Sequence, residues 1–132
     1  MGYNPIAFIF GYAFMILAIH WIADFILQTE YQAVNKSKNN KALFNHVFTY
    51  TITTALGWMI CFHISWYHTI WLIGITGIFH FITDYITSRI NKKLWEQKKT
   101  HEFFVCIGFD QLLHYAQLFI TFNYLLTLKN PF

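Results

Sequence analysis

Four long apolar runs, separated by short polar stretches, constrain the fold of this chain more than any other feature. They cover residues 6–28, 43–63, 69–88 and 103–128, and each contains 20 to 26 residues. At about 1.5 Å per helical residue, such a run can cross the hydrocarbon core of a bilayer. Lipid cannot satisfy free backbone groups and no alternating barrel pattern is present, so the runs should be helical. The sequence predicts an all-α, four-helix transmembrane bundle that forms one integral-membrane domain, residues 1–132.

The composition excludes the usual classes of soluble protein. Only 11 % of the 132 residues are charged, whereas a soluble domain carries about 25 %. The 15 Phe, 8 Tyr and 5 Trp are more than so small a globule could bury. The same numbers exclude a disordered chain, a coiled coil and a disulfide scaffold.

The charged residues predict the orientation in the membrane. They concentrate in two stretches, 29–42 and 89–102, which follow the first and third runs and therefore lie on one side. The positive-inside rule places both as basic loops in the cytoplasm. The short turn at Ser65 and both termini then face the opposite side. This distribution indicates a multi-pass protein whose partners are membrane lipids and not nucleic acid.

Polar residues inside the apolar runs predict a functional site. All three Asp lie in the runs, and each has a His four residues away, in the pairs His20–Asp24, His80–Asp84 and Asp110–His114. A spacing of four places two side chains on one helix face. An Asp at the centre of a span costs about 2.5–3.5 kcal/mol, so these residues are expected to serve a purpose. With His46 of the second run, all should lie in the cytoplasmic half of the membrane.

Imidazole and carboxylate groups are the ligands of Zn²⁺ and of Mn or Fe sites, so the pattern favours a divalent metal. We predict Zn²⁺ first, with Mn or Fe as alternatives, in a site of one or two ions. The predicted ligands are His20, Asp24, His80, Asp84, Asp110 and His114. His46 and Asp110 are the predicted catalytic groups. Three further residues are expected to orient the ligands, namely Gln28, Tyr50 and Gln111.

The basic residues beside this layer have two interpretations. They determine the topology and contact anionic lipid, or some of them bind an anionic substrate. For the second interpretation we predict that Lys36, Lys38 and Arg89 contact a phosphorylated or lipid-linked substrate. The polar layer also has two simpler interpretations, hydrogen bonding between helices and a metal-free proton relay.

The motifs resemble those of a family of small integral-membrane proteins from bacteria and their phages, classed as a domain of unknown function. The residues that carry the resemblance are His20-x3-Asp24-Phe25-x2-Gln28, His46, His80-x3-Asp84 with Arg89, and Phe109-Asp110-Gln111-x2-His114. A weaker similarity, in the His-x3-Asp pattern, is to membrane-bound metal-dependent hydrolases. The resemblance implies a bacterial inner (cytoplasmic) membrane location and supports the site, but it implies no reaction.

Three functional hypotheses follow. The first is an intramembrane metal-dependent hydrolase at the cytoplasmic leaflet, in which a metal activates water. The second is a carrier or channel for a metal ion or proton. It would need a homo-oligomer, because four helices leave little room for a pore, and residues such as Phe14, Leu56 and Ile120 make the outer half apolar. The third is a non-catalytic interaction protein of phage or bacterial origin, which no sequence feature excludes.

Overall fold

The computed structural model describes residues 5–129, and these residues are helical almost throughout. The helices are α1 (Pro5–Trp21), α2 (Glu30–Asn35), α3 (Asn40–Phe62), α4 (Trp66–Glu96) and α5 (Thr100–Lys129). A π-helical turn, Ile22–Ile26, continues α1 and is closed by a 2.9 Å hydrogen bond from the Leu27 backbone N–H to the Ile22 carbonyl. The all-α prediction is therefore confirmed for the described residues.

Short connections make neighbours of consecutive long helices. α4 packs along both α3 and α5, and α1 packs against α3 and α5. His63 ends α3 in the left-handed conformation, with φ 52°, and the Ser65 side chain caps the start of α4. Lys98, with φ 56°, reverses the chain between α4 and α5. The short helix α2 lies against α3.

Within residues 5–129, three helical segments are long and apolar enough to cross a membrane, as expected of a membrane protein. They are Ile9–Ile26, Trp66–Glu96 and Thr100–Thr127. The predicted second span falls in α3, which is not among them because it carries Lys41, His46 and several Thr and Asn residues. A fourth span is therefore not established by length and composition.

The two basic stretches, residues 29–42 and 89–102, are predicted as loops from the sequence, but part of each is helical in the structure. The first contains α2, and most of the second, up to Glu96, is the last part of α4. The reason is that neither Gly nor Pro occurs between residues 78 and 99, so nothing in the local sequence stops α4 at the end of its apolar run. Only residues 97–99 remain as a connection between α4 and α5.

The buried interior is divided into an apolar end and a polar end. The apolar core lies towards the α3–α4 turn and consists of Ile16, Ala55, Trp58, Phe62, Leu72, Leu118, Phe122 and Leu125. Its aromatic rings touch edge to face, with centroids 4.9 Å apart for Phe62 and Phe122 and 5.4 Å for Trp58 and Phe122. Each helix that contributes to this core also contributes buried polar residues further from the turn.

Gly57 allows α3 to approach α1 closely, and its replacement provides a test of the packing. A Cβ atom at Gly57 would lie 2.9 Å from Cγ2 of the branched Ile19 side chain. We expect Gly57→Ala to lower the unfolding free energy by about 1–3 kcal/mol through overpacking. The measurement is thermal unfolding of the purified chain in detergent. Gly74→Ala is the matched control, because its Cβ meets nothing within 4 Å; equal stability of the two variants would contradict the close packing.

Candidate metal centre

The long helices and the π-helical turn bring seven ionisable side chains together in the polar half of the interior. They are His20, Asp24, His46, His80, Asp84, Asp110 and His114, here called the His/Asp cluster. All seven are buried, the most accessible being Asp110 with 9 % of its surface exposed. Every cluster residue was among the candidates named from the sequence. A buried charge is costly unless it is paired, so the contacts within the cluster matter for the fold as well as for binding.

Four of these side chains form a compact ligand group. The ligand atoms are Asp24 Oδ1, His46 Nε2, His80 Nε2 and Asp84 Oδ2, one from each residue. The two imidazole nitrogens are 3.3 Å apart, and their distances to the two carboxylate oxygens are 3.0, 3.3, 3.5 and 3.6 Å. In a tetrahedral site with ligand bonds of about 2.0–2.1 Å, neighbouring ligand atoms are about 3.3–3.4 Å apart. The five distances lie near this value, so the group could hold a metal ion.

Asp84 also belongs to a second group, with Asp110 and His114. Its other oxygen, Oδ1, lies 3.3 Å from His114 Nε2, which is 3.5 Å from Asp110 Oδ1. One carboxylate therefore turns one oxygen to each group. A shared carboxylate of this kind is suited to two neighbouring metal ions, which in two-metal enzymes are about 3.5–4 Å apart.

His20 lies in neither ligand group, although the sequence predicts it as a ligand. Its Nδ1 is 3.0 Å from the Tyr50 hydroxyl and its Nε2 is 3.0 Å from Gln111 Oε1. Its Nε2 is also 3.6 Å from Asp24 Oδ2. Both ring nitrogens thus form hydrogen bonds with neutral side chains. The geometry therefore indicates that His20 holds Tyr50 and Gln111 in place beside the ligand groups and is not itself a ligand.

The residues predicted to orient the ligands all contact the cluster. Gln111 accepts a hydrogen bond from His20 and donates to Asp24 Oδ2 at 3.3 Å and Asp110 Oδ2 at 3.1 Å. The Gln28 amide is 3.0 Å from His46 Nδ1. If His46 Nε2 binds a metal, Nδ1 carries the proton, and rotation of the Gln28 amide presents its oxygen as acceptor.

The His80 ring is positioned by stacking. Its face lies 3.7 Å from the Tyr50 ring and 4.2 Å from the His114 ring, measured between centroids. The interplanar angles are 19° and 24°. The orientation of the His80 ring is therefore fixed by the packing of α3 and α5 against α4.

Lys36 enters the cluster from the connection between the first and second long helices. Its Nζ donates a 2.8 Å hydrogen bond to Asp84 Oδ2. The preceding helix α2 is anchored by a capping box, in which Thr29 Oγ1 accepts from the Gln32 N–H and Gln32 Oε1 accepts from the Thr29 N–H. Burial alone would lower the pKa of Lys36, but the Asp84 and Asp24 carboxylates outweigh it and raise the pKa above its ordinary value. The ammonium group is therefore charged at neutral pH.

Lys38 and Arg89, the other two residues predicted to contact the substrate, differ in their distance from the cluster. Lys38 is exposed and lines a cavity beside the cluster. Arg89 donates 2.8 Å and 2.7 Å hydrogen bonds to the Tyr85 carbonyl and to Asn40 Oδ1, and its guanidinium covers the Tyr85 ring. The structure thus brings Lys36 and Lys38 to the site, while Arg89 joins α4 to the start of α3.

A cavity of about 740 Å³ gives access to the cluster from one side. Its polar floor is formed by Asp24, Gln28, Asp110 and Gln111. These residues come from both ligand groups and from the two glutamines that orient them. A small molecule in this cavity would therefore touch the cluster directly.

Thr87 is a site residue that the sequence interpretation missed. Its hydroxyl lies 2.5 Å from Asp110 Oδ1, to which it donates its single proton, and 2.9 Å from the Thr83 carbonyl. The available signal was its position three residues after Asp84, which places both on one helix face. Thr87 thereby fixes the Asp110 carboxylate against α4.

Comparison with known proteins identifies a family but adds no activity. The chain matches no curated protein and no solved structure. A protein family matches residues 12–131, a segment that includes all seven residues of the His/Asp cluster. The chain therefore belongs to the family described as "Protein of unknown function (DUF3307)".

Proposed function

We propose that this chain is a metal-dependent hydrolase of the bacterial inner membrane, with its His/Asp cluster in the cytoplasmic half of the bilayer. In this arrangement α3 is a fourth span whose polar residues His46, Thr51 and Thr54 are buried in the interior, and both termini lie on the non-cytoplasmic side. The close spacing of the ligand atoms of Asp24, His46, His80 and Asp84 carries the proposal. Hydrogen bonding between helices needs polar side chains, but it does not require four ligand atoms at mutual distances suited to one ion.

Charge balance supports a divalent ion. The cluster holds three carboxylates, and Lys36 compensates one of them. One divalent ion bound by neutral imidazoles would compensate the other two, which matters because uncompensated charge is costly inside a membrane. Zn²⁺ suits the compact His₂Asp₂ group best. Binding a second ion at the Asp84–Asp110–His114 group would leave excess positive charge, which an anionic substrate could balance.

The chemistry proposed is hydrolysis of an anionic or lipid-linked substrate. A bound metal would supply Lewis acidity, activating water and polarising a phosphoryl or carbonyl group. Asp110 faces both the cluster and the cavity, so it is placed to accept a proton from the attacking water and return it to the leaving-group oxygen. At phosphorus the water oxygen would form its bond as the bond to the leaving group breaks. At a carbonyl carbon it would add first, and the bond to the leaving group would break as the carbonyl re-forms. His46, in the ligand group, acts here as a ligand and not as the base.

The apolar core favours this reaction over transport. Beyond the cluster, towards the α3–α4 turn, the interior is filled by side chains such as Trp58, Leu118 and Phe122. A carrier would need an alternating opening through this packed layer. A site that is reached through a cavity on one side is better suited to a reaction at one leaflet.

The first experiment is metal analysis of the purified full-length chain by mass spectrometry. We expect near-stoichiometric zinc in the wild type and loss of zinc in the folded double variant His80→Ala/Asp84→Ala. His63→Ala, at the left-handed end of α3, is the control and should retain zinc. Metal-loaded protein should then cleave phosphate or carboxylic esters of lipids, and the double variant should not. No metal in the wild type, even after reloading with zinc, would contradict the proposal.

A further inference from the structure

The walls of the cavity beside the cluster are largely apolar. They are formed by Phe25 of the π-helical turn, Val34 of α2, Trp95 of α4, and Phe103, Phe104 and Ile107 of α5. Several of these side chains are also exposed on the outer surface; Phe104, for example, is 62 % exposed. Phe104 and Ile107 belong to a helix that is apolar enough to cross a membrane. The cavity is therefore continuous with a surface that would face lipid.

Basic side chains stand beside this apolar wall. Lys38 of the α2–α3 connection and Lys92 of α4 line the cavity, and Lys36 reaches from it into the cluster. Lys92 is paired with Glu96 at 3.7 Å, but Glu96 is exposed and Lys92 is only partly buried, and such a pair contributes little. An incoming anion could therefore replace Glu96 as the partner of the Lys92 ammonium group at a small cost in free energy.

We propose that this cavity binds a membrane lipid with a phosphate headgroup, which enters sideways from the bilayer. The headgroup lies between Lys38 and Lys92 above the polar floor, and the acyl chains follow the aromatic wall of α4 and α5. As the substrate of the metal centre this lipid rests on the proposed function; as a bound ligand it rests on the cavity alone.

Both parts of the cavity are needed to select this ligand. A soluble phosphate would leave the aromatic wall empty, and a neutral lipid would leave the basic rim without a partner. Charge-assisted hydrogen bonds from Lys to phosphate are among the stronger polar contacts, while the acyl chains gain van der Waals contact with the aromatic wall. The combination predicts a preference for molecules that carry both parts.

The binding experiment compares three probes on the full-length protein in phosphatidylcholine nanodiscs. The probes are phosphatidic acid, diacylglycerol with the same acyl chains, and glycerol 3-phosphate. We expect phosphatidic acid to bind at least about tenfold more tightly than either other probe. Equal binding of phosphatidic acid and diacylglycerol would overturn the role of the phosphate. Equal binding of glycerol 3-phosphate would show that a soluble anion occupies the site and would overturn the lipid.

Matched variants test the location. Lys92→Gln should weaken phosphatidic acid binding about tenfold, whereas Lys93→Gln, outside the cavity, should not. Phe104→Ser should also weaken binding, and Phe48→Ser is its control because Phe48 is 60 % exposed on α3, away from the cavity. Equal effects within each pair would overturn the assignment.

Zinc analysis of the same samples separates the two proposals. Protein without zinc that still prefers phosphatidic acid would contradict the proposed function and leave the lipid site standing. Protein with zinc but without this preference would contradict the lipid site and leave the metal centre standing.

Discussion

Asp84→Asn is expected to remove bound metal from both ligand groups and to abolish hydrolysis. Asp84 is the only residue shared by the two groups found among residues 5–129, with Oδ2 facing His46 and His80 and Oδ1 facing His114. Changing residues that merely support ligands costs about 10–100-fold in metal affinity, so loss of a shared ligand should cost at least about 100-fold. The measurement is zinc affinity by competition with a chelator, together with zinc content.

Asp110→Asn is the informative control for this prediction. It alters only the second group, so the protein should keep one zinc ion in the first group and lose hydrolysis, because Asp110 is the proposed proton acceptor. Since Asp84→Asn also leaves Lys36 without its carboxylate, the double variant Lys36→Met/Asp84→Asn should restore folding without restoring zinc. Stoichiometric zinc in Asp84→Asn would contradict the shared-ligand arrangement.

Lys36→Met is expected to have opposite effects on stability and on metal affinity. In the metal-free chain it leaves Asp84 as an uncompensated buried charge, which should lower the unfolding free energy by about 3–5 kcal/mol. With zinc bound, the ion replaces the missing positive charge, so the loss should be much smaller. Zinc affinity should rise about tenfold, because the ammonium group no longer competes for Asp84 Oδ2.

Thermal unfolding in chelator and in zinc tests this prediction, with Lys38→Met as the exposed control.

The raised pKa of Lys36 also gives the sign of a pH effect. A group whose pKa is higher in the folded state stabilises the fold below its unfolded-state pKa, here 10.5, and that contribution is lost as pH rises through the folded value. The contribution of Lys36 should thus be constant across neutral pH. Equal destabilisation by Lys36→Met with and without zinc, or weaker zinc binding by this variant, would contradict the role of Lys36 as a counter-ion.

Much of the site could be predicted because a regular helix turns a sequence spacing into a face. The pairs His20–Asp24, His80–Asp84 and Asp110–His114 are each four residues apart, and the helices do place them in one buried layer. The all-helical class followed from the apolar runs. The orientation in the membrane and the single domain over residues 1–132 stay predictions.

The remaining features depend on contacts between distant parts of the chain. The pairing of Lys36 with Asp84 joins residues 48 positions apart, and the sequence interpretation placed Lys36 with a substrate instead. Spacing also could not show that Tyr50 and Gln111 occupy both nitrogens of His20. The boundaries of α4 were missed for a local reason, since its charged last turns can continue a helix beyond the apolar run.

The π-helical turn Ile22–Ile26 changes the direction in which the side chains at the end of the first helix project from its axis. In an α-helix a step of four residues overshoots one turn by about 40°, so His20, Asp24 and Gln28 would drift steadily around the axis. A π turn holds more residues, and it reverses this drift at the point where Asp24 meets α3. The number of residues in this segment is therefore as constrained as the residue types at its positions. Deleting Phe25 would rotate the helical residues after it by about 100° and shift Gln28, in the connection that follows, away from His46, although every cluster residue remains in the chain.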